Sequence, residues 1–258
     1  MSAGDEFTRL VDIMHKLRKG CPWDRSQTHA TLRPYLLEEA YEVLHALDEE
    51  HYDELCEELG DLLLQIVFHA ELAEEEGRFD IEDVARAVNE KLIRRHPHVF
   101  GDKHAETPAD VLRRWESIKR SEENKPSSLH GIPAELPALV KAARTLSKVR
   151  QTGVDPLAGR DAAEDARRWL ERLTAAVEEG DAGGASLAAG MLALCATDVA
   201  GRARVSTEDA LRGTLRKLTD AFRSEEARIE AEGRNLTDLS EEERAELGAR
   251  LLAACQED

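Results

Sequence analysis

Two pairs of acidic residues, Glu39/Glu42 and Glu58/Asp61, narrow the folds open to this chain more than anything else in it. Each pair has i, i+3 spacing, which places both carboxylates on one face of a helix. The positions are also mirror-related about residue 50. An antiparallel helical hairpin turning there would set Glu42 opposite Glu58 and Glu39 opposite Asp61. At the helical rise per residue, both levels lie roughly 12–16 Å from the turn, well inside a bundle. Four carboxylates converging at that depth repel one another and lose hydration, and a cation between them offsets both costs.

The competing interpretation is a solvated acidic face, the ordinary meaning of a lone Glu pair on a helix. The mirror spacing argues against it. So does the segment that follows Asp61, Leu62-Leu63-Leu64-Gln65-Ile66-Val67-Phe68, which is apolar almost all round and expected to be buried. The ligands are all oxygen with no histidine, a set that suits Mg²⁺ or Mn²⁺ rather than zinc. Di-iron bundles also use helix-borne carboxylates, but they require a Glu-x-x-His motif from each of two helices, and only one, Glu42-x-x-His45, occurs here.

Helical periodicity runs through the 258 residues, and strand alternation is absent. With 41% apolar and 34% charged residues, the chain is expected to be all-α and soluble. Phe7, Leu10, Val11, Met14 and Leu17 stripe a first helix that stops at Gly20. Residues 21–29 read as a polar loop. Pro34 opens a second helix ending near Asp48, and a third runs from about Tyr52 to Glu76. Asp80 caps a fourth that ends at His96-Pro97. Thr107-Pro108-Ala109-Asp110 reads as the cap and first turn of a fifth.

Residues 122–136 carry Pro, Ser and Gly and form the best linker. Beyond it, helices are expected at about 137–151, 161–179, 185–202 and 207–228, with a last one after the capping box Ser240-x-x-Glu243. The second half resembles a decayed copy of the first. An offset of 130 places Trp169, Arg172, Ala188 and Met191 on Glu39, Glu42, Glu58 and Asp61, so no carboxylate survives. An offset of 126 aligns Glu208-Asp209 with Glu82-Asp83 and puts Leu215, Lys217, Asp220 and Ala221 on Asn89, Lys91, Arg94 and Arg95.

The formal charge of −18 argues against non-specific binding to nucleic acid or an anionic membrane. An anionic small substrate would need a metal or local cations. Asn89, Lys91, Arg94 and Arg95 concentrate such cations at a helix C-terminus, where they also suit the helix dipole. Lys91 and Arg95 share a face and could grip phosphate oxygens. His96 and His98 lack a third ligand and read as loop residues. Trp115 and Lys119, also i, i+4, serve either packing or a stacking platform for a base beside a cation, and Trp23 has the same two readings. Glycine-rich phosphate loops are absent. The four cysteines are scattered, as in a reduced cytosolic protein. No apolar run approaches 18 residues, so neither secretion nor membrane insertion is expected.

Four segments together resemble the MazG family of bacterial nucleoside triphosphate pyrophosphohydrolases. They are Cys-Pro-Trp-Asp-Arg-x-Gln-Thr-His at 21–29, Tyr-Leu-Leu-Glu-Glu-Ala-Tyr-Glu at 35–42, Glu-Glu-Leu-Gly-Asp at 57–61 and Arg-Arg-His-Pro-His-Val-Phe-Gly-Asp at 94–102. The likeness is strong over about residues 5–125 and weak beyond. It implies an all-α fold of tandem four-helix-bundle-like domains at 1–121 and 137–258, the second degenerate. It also implies a homodimer, Mg²⁺ dependence, and cleavage of NTPs and dNTPs to monophosphate and pyrophosphate. By resemblance, the metal ligands fall on Glu39, Glu42, Glu58 and Asp61, and nucleotide contacts fall on residues 91–95 and Trp115. Glu38, beside the cluster, is a candidate proton acceptor or orienter for the attacking water. The alternative function is a helical module that senses nucleotides or scaffolds a partner, with the second half as docking surface.

Overall fold

The computed structural model describes residues 2–101, 107, 110–111, 118, 127–159 and 161–256. The described residues are helical throughout, without strands. They divide into two compact units, Met1–Asn124 and Lys125–Asp258.

In the first unit, α1 (Ala3–Gly20) opens on a capping box in which Ser2 and Asp5 each satisfy the other's backbone N–H. A single turn, α2 (Pro22–Ser26), then leads through a loop to α3 (Arg33–Asp48) and α4 (Tyr52–Glu75). The helix α5 (Ile81–Arg95) starts from the Asp80/Asp83 capping box, and α6 (Pro97–Phe100) is a short extension. The α2 turn falls within the stretch read from sequence as loop. Pro22 fits its first position, but five residues are too few to carry a periodic signal.

Met14 of α1, Leu32, and Val67, Phe68 and Leu72 of α4 are buried together, with Phe7, Leu10, Val11, Leu64 and Ile81 packed around them. Arg18 locks this corner. Its guanidinium pairs with Glu75 and also donates to the carbonyls of Asp24 and Gln27, fixing α1, α2 and α4 to one another. The apolar run after Asp61 is not buried all round as expected. Ile66 remains 42% exposed, because α1 and α3 cover one side of α4 and leave the other outward.

The second unit contains α7 (Ala138–Arg150), α8 (Ala162–Glu178), α9 (Ala182–Arg202), α10 (Thr207–Ala231), a 3₁₀ turn at Leu236–Asp238 and α11 (Glu241–Ala254). The helix α9 begins three residues before the expected 185. Asp181 caps it ahead of Gly183 and Gly184, whose low helix propensity disguised the start. Contrary to the sequence expectation, α9 is long and apolar enough to cross a membrane by length and composition. It nevertheless carries a buried Asp198, paired with Arg150 of α7 and with Arg202.

The two hairpins end their first helices in the same way. After α3, His51 N–H reaches Ala46 O (3.0 Å) and Glu50 N–H reaches Leu47 O (3.3 Å), with Glu50 in the left-handed region. After α8, Asp181 N–H reaches Ala176 O (2.8 Å) and Gly180 N–H reaches Val177 O (3.2 Å), with Gly180 left-handed. These pairs are related by the offset of 130. Farther on, Arg78 N–H to Ala73 O and Val205 N–H to Ala200 O differ by 127, and the caps Asp80 and Ser206 by 126. The second hairpin is thus three residues shorter past its middle. At either offset the positions matching Glu58 and Asp61 fall on Ala188 and Met191 or on Ala185 and Ala188, none of them acidic.

Candidate metal and nucleotide site

The α3–α4 hairpin is where sequence and geometry meet. Its left-handed turn at Glu50 fixes the register, and oxygens of Glu39, Glu58 and Asp61 come within 4.8 Å of one another. Glu42 is not part of that triangle. It is exposed, hydrogen-bonds to Glu39, and adds its negative charge to Glu39 and Glu58. Glu38, one residue along, points away from the helix pair enough to be solvent-exposed.

The electrostatics of the cluster are one-sided. Burial pushes the Glu39 carboxyl above its ordinary range. The charge of Asp61, the hydrogen bond to Glu42, and the charges of Glu42 and Glu58 act in the same direction. Glu58 is raised by partial desolvation and then by Glu42, Asp61, Glu57 and Glu54. Every charged group acting on these two residues is acidic. Three converging carboxylates, two of them with raised proton affinity and none with a basic group among the charges acting on it in the described residues, fit a hard divalent cation, which supplies the missing charge.

The sequence-derived phosphate contacts lie elsewhere in the unit, on α5. Asn89, Lys91 and Arg94 are exposed and Arg95 is half-buried at the C-terminal end of that helix, which packs on α4. His96 is occupied locally, its Nδ1 lying 2.7 Å from Leu92 O. Trp115 and Lys119 lie outside the described residues. Thr107 and Asp110 do form the expected cap, with Asp110 N–H bonded to Thr107 Oγ1 at 3.2 Å.

Sequence reasoning passed over three side chains beside the cluster. Tyr35 stands one turn before Glu39 on α3, with Trp23 of α2 set edge-on against it at 5.9 Å between ring centroids. Gln65 stands one turn after Asp61 on α4, is 7% exposed, and its Oε1 has no hydrogen-bond partner among the described residues. One turn farther, His69 meets His29 with Nδ1 atoms 2.8 Å apart and ring planes nearly parallel. Burial and the neighbouring imidazole push His69 below its ordinary value. A lone amide inside an apolar run, four residues from a ligand, was the available signal for Gln65.

Fold and cluster together define an all-helical protein whose central hairpin carries an acidic site of the kind that takes a divalent cation. A family model described as the MazG nucleotide pyrophosphohydrolase domain matches residues 27–100. The chain is 43% identical over 241 residues to the nucleoside triphosphate pyrophosphohydrolase/pyrophosphatase MazG of Thermotoga maritima, covering 92% of each protein. It is 50% identical over 157 residues to the nucleoside triphosphate pyrophosphohydrolase of Escherichia coli K12, covering 58% of this chain and 60% of that one. A Mycobacterium tuberculosis protein with the same descriptive name is 40% identical over 153 residues, covering 58% of this chain and 47% of that protein. The chain belongs to the MazG family.

Proposed function

We propose that the chain is a Mg²⁺-dependent nucleoside triphosphate pyrophosphohydrolase that cleaves NTPs and dNTPs between the α- and β-phosphates. The observation that carries this reading is the convergence of Glu39, Glu58 and Asp61 within 4.8 Å, in a chain of this family. Glu39, Glu58 and Asp61 hold the ion, with Glu42 beside Glu39 as the fourth carboxylate. Once bound, a divalent cation polarises phosphate oxygens and makes a water more acidic, and Mn²⁺ satisfies the same ligands.

The remaining work falls to the chain's own side chains. Glu38, exposed and next to Glu39 in the chain, accepts a proton from the attacking water or orients it. Lys91, Arg94 and Arg95, with Asn89, neutralise charge gathering on the departing pyrophosphate. Trp115 stacks the base and Lys119 adds a cation beside it. We further propose a cytoplasmic homodimer, whose second copy covers the outward face of α4 around Ile66 and Leu59. Residues 1–121 form the active domain and residues 137–258 a degenerate copy.

Asp61→Asn or Glu42→Gln is expected to abolish Mg²⁺-dependent pyrophosphate release while leaving the helical circular dichroism spectrum unchanged. Undiminished turnover in both variants would remove this mechanism. Binding of nucleotide without any release in the wild-type protein would favour a sensing module instead.

A further inference from the structure

The cluster accounts for phosphate, but nothing assigned so far among the described residues faces the base, and the conspicuous segment 21–29 has no role. Three observations bear on it. First, Gln65 is more than nine-tenths buried, and its carbonyl oxygen has no donor among the described residues. Leaving such an acceptor unmade costs about 1–3 kcal/mol, so a donor from outside the described chain fits there. Second, the hairpin register that brings Glu39 to Asp61 sets residue 35 level with residue 65. Gln65 and Tyr35 therefore stand at one level, a single helical turn deeper than the metal ligands. Third, an aromatic wall stands at that level. Tyr35 and Trp23 pack edge to face, and they stay 38% and 51% exposed.

The wall is also held rigidly. Gln27 Nε2 and Ser26 Oγ both donate to the Trp23 carbonyl, at 3.0 and 2.7 Å. Arg18 donates to the carbonyls of Asp24 and Gln27, and His29 meets His69 on α4. Asp24, Ser26, Gln27, Thr28 and His29 thus tie the loop to itself, to α1 or to α4. A half-exposed tryptophan on so anchored a backbone is a platform prepared for a flat ligand.

We propose that Trp23, Tyr35 and Gln65 form a nucleobase subsite, the base lying against the aromatic pair while one of its N–H groups donates to Gln65 Oε1. This deepens the pyrophosphohydrolase reading and rests on it for the position of the triphosphate. Each of the common bases offers an exocyclic amino or ring N–H group. A primary amide also presents a donor beside its acceptor and can flip to suit either pattern. The subsite therefore selects for a base without selecting strongly among bases. Uridine and thymidine nucleotides donate from the ring N–H, and adenine, cytosine and guanine from the amino group.

The test compares wild type with Gln65→Leu, Gln65→Met, Trp23→Ala and Tyr35→Leu. Monophosphate formation is measured from ATP and dCTP, together with inhibition by inorganic triphosphate, which has no base. The expected result is a rise in KM of about tenfold per lost contact for both nucleotides, with a smaller change in kcat. The inhibition constant of inorganic triphosphate should not move. Tryptophan fluorescence of a Trp169→Phe variant should be quenched by AMP and CMP, and adding Trp23→Phe should reduce that quench while Trp115 remains to report. Equal loss for nucleotide and inorganic triphosphate would overturn the subsite, since it would mean general damage to the cluster. So would unchanged KM values, which would mean that Gln65 is satisfied by water alone. Trp23 is exposed, so its variant tests the proposal even if the Gln65 variants fail to fold. Should the wild type turn over no nucleotide, the function reading fails, and the subsite stands or falls on the quench by monophosphate.

Discussion

Glu39 and Glu58 are the residues at which structure and chemistry are most tightly joined. Their carboxyls are pushed above the ordinary range by burial and by acidic neighbours, so the cation-free fold takes up protons that the unfolded chain releases. For a group raised in this way, the stabilising contribution is complete below the unfolded value near 4.5 and is lost as pH rises through the folded value. The cation-free protein should therefore lose stability as pH rises through that window, and Mg²⁺ should restore it. At 100 times its dissociation constant, a ligand specific for the folded state adds about 2.7 kcal/mol. We expect Mg²⁺ to raise the melting temperature clearly at pH 7.5 and weakly at pH 5, where protons compete for the same oxygens. Calorimetry in two buffers of different ionisation enthalpy should register proton release on binding. An equal shift at both pH values, or a shift that survives the Glu39→Gln/Glu58→Gln double variant, would contradict this account.

At the scale of the element, the two hairpins differ at one informative position. Both close with the same pair of backbone hydrogen bonds around a left-handed residue, but the first unit places Glu50 there and the second Gly180. A residue with a Cβ pays about 1 kcal/mol for that conformation. Glu50→Gly is thus expected to stabilise the first hairpin by about 0.5–1 kcal/mol, and Gly180→Ala to destabilise the second by about 1 kcal/mol. Hydrogen exchange at the amides of Glu50–His51 and Gly180–Asp181 would read each turn separately. A loss of protection in Glu50→Gly would show that the Glu50 side chain does more than occupy the turn. These hairpins also mark how far the sequence could be read. Their helices followed from periodicity, and the mirror spacing of 39, 42, 58 and 61 located the cluster, because both depend only on helical geometry. The α2 turn was too short for a periodic signal. The start of α9 was hidden by Gly183 and Gly184, since propensity is a weaker cue than the Asp181 cap. The exposure of Ile66 was not legible, because an apolar run does not say what covers it. Nor was the unmet Gln65 oxygen, since a residue type does not say which partners the fold brings to it.

At the scale of the whole molecule, the chain joins a hairpin that gathers carboxylates to another that closes with the same turn and, among the described residues, has no such cluster. The near-complete match to the Thermotoga maritima protein spans both units, so the second is part of what the two proteins share. At the positions of Glu39 and Glu42 that second unit carries Trp169 and Arg172, with the guanidinium stacked 4.5 Å from the indole centroid. An arginine there repels a divalent cation, whereas the first hairpin attracts one. Part-buried salt links occur in both units, Arg18 with Glu75 in the first and Arg150 with Asp198 in the second. Each unit therefore has an arginine–carboxylate link, whereas the converging carboxylates lie in the first. Two outcomes follow for activity. A fragment of residues 1–124 should release pyrophosphate from dCTP at a rate of the same order as the full chain. Arg172→Ala in the full chain should leave that rate unchanged. Each is checked by Mg²⁺-dependent monophosphate formation, with circular dichroism to establish that the protein is folded. A fragment that is helical, binds dCTP and fails to cleave it would place an essential contribution in the second unit. A fall in turnover on Arg172→Ala would narrow that contribution to the face that the offset of 130 aligns with the metal site.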